Sequence, residues 1–241
     1  MATSDYEPHV RQAVRERVLA GDVVVDIGAN VGCIAMLAAK LTGKEGLVVA
    51  VEPNPDNLQM LYAGIVLNRL DNVRVLPYAA STGARVVSLS DELSNTHLLS
   101  ARPPGTHGVY AQTVALDESL AWLPRLDLVK IDVEGHESAV LAGFRNLIEH
   151  HRPALVIEFN PRCLLDLQQQ EPADLLDRIL TLYPSVRATS AFGDDERFAR
   201  TDDLLEYWNR RDREVAGARL LPEGMLHFDL IAERGRPRRN P

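Results

Sequence analysis

Four stretches of this sequence end an apolar run on an acid, and each acid has polar company. "VVVDIGANVG" (23–32) reaches Asp26 and continues into Gly28, Asn30 and Gly32. "LVVAVEPN" (47–54) closes on Glu52, followed by Pro53 and Asn54. "LVKIDVEGHE" (128–137) brings Asp132, Glu134, His136 and Glu137, and "ALVIEFN" (154–160) brings Glu158 and Asn160. Carboxylates of this kind accept hydrogen bonds from hydroxyls, attract cations and take up protons. Group transfer to a hydroxyl needs a proton acceptor or a metal, and Asp132, Glu134 and His136 are the nearest candidates for that work. Clustered carboxylates also suit Mg²⁺, but one strand-end cluster is thin support, and no metal ligand is assigned. Glu137, in the first turn of a helix, equally reads as support for the helix's positive end.

The glycine turn after Asp26 limits the ligand. A pyrophosphate-binding turn reads G-x-G-x-x-G and delivers the anion to a helix N-terminus. Here Gly28 and Gly32 are present, with Asn30 near the middle position; asparagine tolerates left-handed backbone better than most residues. Asp26 at the strand end would repel a pyrophosphate and favour a cation. S-adenosylmethionine carries an ammonium and a sulfonium and no phosphate, so it fits this charge pattern better than NAD. Glu52, 24 residues after Gly28, can accept both ribose hydroxyls, a feature NAD sites share.

These residues need a scaffold that brings strand ends together. Strand-like runs at 23–27, 46–52, 73–80, 126–134 and 154–159 alternate with helix-like runs at 32–41, 55–68 and 137–150. A helix is expected at 8–19 and another at 173–182, then strands at 186–192 and 226–233. Near-continuous apolar strands alternating with helices imply a parallel sheet covered on both faces. Such sheets bind ligands beyond the carboxyl ends of their strands, which is where all the acids above fall. Ala79, at the end of the 73–80 run, joins the expected cofactor residues. Between 80 and 126 no clear helix shows; 84–90 and 109–116 read as short strands of an antiparallel extension around a polar loop. Asn95 and His97 in that loop are candidates for the substrate pocket, with Glu158 and Asn160; His107, in the same loop, could enter it too. The connection 193–225 is long and charged, with Leu204, Leu205, Tyr207 and Trp208 as an apolar stripe, and reads as a lid or a homodimer contact.

Composition narrows the classes. The chain has 241 residues with 26 Lys and Arg against 34 Asp and Glu, a net charge of −8. That balance opposes long contacts with a phosphate backbone, so no nucleic-acid partner is expected. No apolar run reaches the ~20 residues of a membrane span, and the first residues lack a signal-peptide core. Cys33 and Cys163, the two cysteines, have no metal-type spacing, which fits free thiols and a cytoplasmic location. One domain over 1–241 is expected, with an N-terminal helix within 1–22 and a flexible tail at 234–241.

Taken together, "VVVDIGANVG", "VEPNPDN", "VALDESL", "LVKIDVEGHESAVLAGF" and "RPALVIEFN" resemble the FkbM-family methyltransferases. They occur in that family's order and cover residues 23–160. The resemblance implies a class I, Rossmann-like α/β fold, a three-layer sandwich whose seven-stranded, mostly parallel sheet has its last strand antiparallel. It implies S-adenosyl-L-methionine as methyl donor and chiefly O-methylation of a small-molecule acceptor, a sugar or other secondary metabolite. By motif, Asp26, Gly28, Asn30 and Gly32 match the methionine-side loop. Glu52 matches the ribose acid, with Pro53 and Asn54 as neighbours. Asp132 and Glu134 match active-site acids, and Asp132 also counts toward the cofactor. The segment before the first strand is short, and 193–225 matches no family motif, so the acceptor is where the resemblance says least. N- or carboxyl methylation remains an alternative. An NAD-dependent oxidoreductase and a non-catalytic scaffold stand further off.

Overall fold

The computed structural model describes residues 7–89, the backbone of 98–99, and 108–233. In chain order the elements are α1 (Pro8–Arg17), β1 (Val23–Ile27), α2 (Cys33–Thr42), β2 (Leu47–Val51), α3 (Pro55–Asn68), β3 (Val73–Leu76) and β4 (Ala79–Ala80). Then come β5 (Arg85–Leu89), β6 (Leu98–Leu99), β7 (Tyr110–Val114), α4 (Leu116–Ser119), β8 (Leu128–Ile131), α5 (Glu137–Gly143) and α6 (Arg145–His151). The chain continues through β9 (Ala154–Phe159), α7 (Pro161–Gln168), α8 (Pro172–Leu182), β10 (Val186–Thr189), β11 (Asp195–Phe198), α9 (Thr201–Gly217) and β12 (Phe228–Ala232).

The main sheet has eight strands in the order β11-β10-β12-β9-β8-β1-β2-β3. From β3 to β9 all neighbours run parallel. The last strand, β12, is antiparallel to both β9 and β10. The class I α/β arrangement is therefore present, with one strand more than the seven the resemblance implies. The extra strand is β11, which pairs antiparallel with β10 at the sheet edge and occupies the start of the 193–225 connection.

Side-chain alternation along the strands builds two cores. Val24, Val48, Val156 and Leu128 face α1, α2 and α3. Val25, Val49, Val129, Ile157 and Phe159 face the layer of α4 to α9, packing on Leu141, Phe144, Leu164, Leu176 and Leu204. This parity decides which way each strand-end acid points.

Several local elements differ from expectation, the short helix α4 within 80–126 among them. The expected strand 73–80 breaks at Pro77, which cannot donate to a ladder. After it Ala79–Ala80 leaves the main sheet and pairs with β7 in a second, four-stranded sheet ordered β4-β7-β5-β6. The expected helix 137–150 is interrupted at Phe144. Just before the break, a Cβ on Gly143 would lie 1.9 Å from the Ser81 carbonyl oxygen, so the helix meets the second sheet too closely for any side chain there. Helix α7 was not expected; Asn160 caps it by accepting from the Cys163 N–H at 3.3 Å, and Pro161 starts it. Among the described residues, no helix is long and apolar enough to cross a membrane.

Candidate active site

The strand order sets the carboxyl ends of β2, β1, β8 and β9 side by side, and a cavity of about 390 Å³ opens above them. That volume lies within the range of small-ligand sites. Of the expected residues, Gly28, Asn30, Glu52, Pro53, Ala79, Asp132, Glu134, Glu158 and Asn160 line it.

On the β1–β2 side the chain is fully committed. Gly28 has φ +74, and a Cβ there would lie 1.7 Å from the Asp132 carbonyl oxygen, so only glycine lets the β1 turn approach β8. Asn30 is left-handed at φ 51. Glu52 is 4% exposed. Its Oε2 accepts from the Asn30 N–H at 2.8 Å, and its Oε1 accepts from the Asn54 N–H at 2.8 Å and from Asn57 Nδ2 at 3.3 Å. Burial raises its pKa, against those backbone bonds. Three bonds leave a carboxylate with capacity for more, which suits a ribose diol. Asn57 also lines the cavity; its only sequence signal was its place in the first turn after "VEPN".

Asp26 lies behind the cavity's described lining. It does not reach the cavity wall among the described residues; it is 0% exposed and lies on the α1–α2 face, in register with Lys130 of β8. Strand parity is the reason: Asp26 shares the face of Val24, whereas the cavity opens at the strand end. Lys130 Nζ lies 3.6 Å from Asp26 Oδ1, 3.0 Å from Asp132 Oδ2 and 3.0 Å from the Gly28 carbonyl oxygen to which it donates. Burial lifts Asp26 to about 6, with Lys130 opposing. For Lys130 burial works against the charge, yet Asp132 and Asp26 outweigh it and hold the ammonium well above its ordinary pKa. Asp26 thus acts through Lys130, which ties the β1 turn to Asp132. The signal was in "LVKID": a lysine inside a fully apolar strand must be paired.

The β8–β9 side is built differently. Glu134 sits in the left-handed region at φ 54, followed by Gly135 at φ 96. Glu137 holds that turn, its Oε1 accepting from the Val133 and Gly135 N–H groups, both at 3.1 Å. The turn aims Glu134 at the cavity, with the Cys163 thiol donating to its Oε2 at 3.7 Å. Burial, then the Asp132 charge, pushes Glu134 up to about 7; burial lifts Glu137 to about 7 as well. Glu158 is 8% exposed, and its Oε2 has no hydrogen-bond partner among the described residues. Burial and the surrounding Asp132, Glu134, Glu137 and Asp229 hold it well above the usual carboxylate range.

Gly32, Asn54 and His136 stand outside the described lining. Gly32 leads into α2 and Asn54 caps α3. His136 leads into α5, with Nε2 3.0 Å from Ser81 Oγ and Nδ1 3.4 Å from Gln168 Oε1; burial lowers its pKa. It therefore joins α5 to the turn after β4. Asn95, His97 and His107 lie outside the described residues. Among the described residues no group of His, Cys, Asp and Glu is placed to hold a metal ion. The wall also carries residues not singled out from the sequence, among them Glu7 and His227, and Leu221 and Met225 of the 193–225 connection. None sits in a motif, and the fold alone brings them there.

Comparison with known proteins bears on family and fold. The sequence pattern of the methyltransferase FkbM domain matches residues 26–183. The hexuronic acid methyltransferase AglP of Haloferax volcanii is 29% identical over 149 residues, 59% of this chain and 58% of that protein. This chain thus spans little more than half the length of that relative. Methyltransferase FkbM from Methylobacillus flagellatus superposes with a TM-score of 0.51 at 21% identity, over 77% of this chain and 49% of that one. Precorrin-6y C5,15-methyltransferase from Geobacter metallireducens does so with a TM-score of 0.50 at 13% identity, over 97% and 92%. The structural likenesses bear on fold alone. The match over residues 26–183, most of the α/β core and the strand ends that frame the cavity, places this chain in the methyltransferase FkbM domain family.

Proposed function

We propose that this protein transfers the methyl group of S-adenosylmethionine to a hydroxyl of a small molecule, sugar-containing or another secondary metabolite. Family membership supports methyl transfer, and the relative named for a hexuronic acid supports an acceptor of the sugar class. The observation that carries the reading is Glu134, a carboxyl at the cavity wall with a pKa of about 7, suited to accept a hydroxyl proton near neutrality.

The residues fit the donor. Glu52 keeps acceptor capacity for a ribose diol beside the Gly28–Asn30 turn. The wall also carries Glu7, Asp132, Glu134 and Glu158, and His227 is the basic side chain among its described residues. Such a wall repels a pyrophosphate, which speaks against NAD, and suits a positively charged donor. When bound, S-adenosylmethionine supplies a methyl on a sulfonium that departs as a neutral thioether. Glu134 would take the hydroxyl proton on a carboxylate oxygen, so that the acceptor oxygen could serve as the nucleophile. Asp132 is paired with Lys130, and its charge raises the pKa of Glu134.

Calorimetry tests the donor. S-adenosylhomocysteine is expected to bind and NAD to give no comparable heat. The reverse pattern would overturn the reading. Transfer of labelled methyl to sugars and glycosides, with alkaline hydrolysis to separate ethers from esters, then tests the hydroxyl.

A further inference from the structure

The family pattern stops at residue 183, but the cavity wall does not. Leu221, Met225 and His227 reach it from the segment joining α9 to β12. That segment has no regular structure, yet it is pinned. Asp212 of α9, 4% exposed, accepts from the Gly224 N–H at 2.7 Å with Oδ2 and from the Leu226 N–H at 3.1 Å with Oδ1. Trp208 Nε1 donates to the Leu226 carbonyl at 2.8 Å. The helix that carries both braces is itself anchored, with Leu204 and Val215 buried and Tyr207 and Trp208 packed on the core. A buried carboxylate whose two oxygens both hold one loop fixes that loop's shape.

We propose that this braced loop is the specificity wall of the acceptor site, and that it selects an acceptor bearing an apolar portion beside its nucleophilic hydroxyl. The inference rests on the methyltransferase reading. Its grounds are position and chemistry. Glu52 and Glu158 end strands three spacings apart, about 14 Å. A donor held at Glu52 and the β1 turn therefore leaves the β9 side to the acceptor. On that side the loop offers Leu221 and Met225; Met225 stays 42% exposed although its backbone neighbours are tied down, with Arg162 Nη1 3.2 Å from its sulfur. An unbranched thioether side chain adapts to varied apolar surfaces. Glu134 and Glu158 line the same cavity and suit a hydroxyl, and the Glu7 and Asp132 carboxyls beside them oppose an anionic group. Loops outside a shared scaffold are where acceptor choice is made.

The test uses the full chain saturated with S-adenosylhomocysteine and labelled with ¹³C-methyl methionine. Its four methionines are Met1, Met36, Met60 and Met225. The Met225 signal is assigned with Met225→Leu, and Met60, 62% exposed on α3, serves as control. Titration with 1-butanol and 1-hexanol is expected to move Met225 saturably and leave Met60 in place. Each added methylene should tighten binding about three- to fourfold. Sodium glucuronate should not move Met225. Asp212→Asn should weaken hexanol binding about tenfold while S-adenosylhomocysteine affinity is unchanged. Should that variant fail to fold, Gly224→Ala strains the loop alone, because Gly224 has φ +81 and open space around it, and the same weakening is expected. A silent Met225, no chain-length dependence, an equal response to glucuronate, or full hexanol affinity in the loop variant would each overturn the wall. Failure of S-adenosylhomocysteine to bind the unaltered protein would instead overturn the methyltransferase reading.

Discussion

Glu52 and Glu158 carry the same functional group at opposite sides of one cavity, in opposite conditions. Glu52 is bonded to two backbone N–H groups and one side-chain amide before any ligand arrives. Glu158 is just as enclosed but has an oxygen without a partner among the described residues, and four acids around it. The first arrangement is preorganised for recognition, since its donors are already spent on holding the carboxylate in place. The second keeps buried polar groups under-satisfied, which is costly for folding and is where proton chemistry is found. Lys130 joins the two halves by holding the Gly28 carbonyl on one side and Asp132 on the other.

Removing the proposed proton acceptor should break the comparison most sharply. Glu134→Gln is expected to lower turnover roughly 10²- to 10⁴-fold and leave S-adenosylhomocysteine affinity intact, as steady-state kinetics and calorimetry would show. An equal loss in both would move Glu134 to the donor's half. Next in size is Lys130→Met, which strands Asp26 and Asp132 and should cost about 3–5 kcal/mol of stability. Urea unfolding measures it; a loss under about 1 kcal/mol would mean the lysine is not the tie between the halves. Glu52→Gln should weaken S-adenosylhomocysteine by ~1.5–3 kcal/mol, the worth of hydrogen bonds to a charged group. Unchanged affinity would remove Glu52 from the ribose role.

The smallest effect concerns pH. Glu137 rises from 4.5 to about 7 on folding, so the native state holds this proton more tightly than the unfolded chain does. Its contribution is therefore most favourable below 4.5 and falls as pH rises to about 7. Thermal unfolding of the wild type should lose a few degrees more than Glu137→Gln between about pH 5 and about pH 8. Glutamine can still accept from Val133 and Gly135, so the turn survives. Parallel profiles for the two proteins would show that Glu137 folds in its charged form.

The parallel core was legible because its strands are apolar on both faces and end on acids or turns. The positions of Glu52, Asp132, Glu134 and Glu158 followed from that. Which way an acid points was less legible. Asp26 lies one residue before the end of β1, and that single step turns it from the cavity to Lys130. His136 looked like a member of the acidic cluster, but the left-handed turn at Glu134 and Gly135 sends it toward Ser81. Helix α7 was missed because the run 161–168 is short and follows directly on a strand. Strand β11 was missed because "DERF" is polar and lies at a sheet edge, exposed at three of its four positions. The wall residues Glu7, Leu221, Met225 and His227 could not be read from spacing at all, since only tertiary packing unites them.

Cys163 has a consequence for reagents. Its thiol donates to Glu134, and burial with the charges of Glu134, Glu158 and Glu137 pushes its pKa far up. Burial raises Cys33 too. Alkylating agents and peroxide attack the thiolate, not the thiol. Both cysteines should therefore label slowly with iodoacetamide at neutral pH in the folded protein, and fast once it unfolds. Cys163 sits within reach of the proposed proton acceptor, so its labelling rate also becomes a clock for the charge on Glu134, readable by mass without any acceptor in hand.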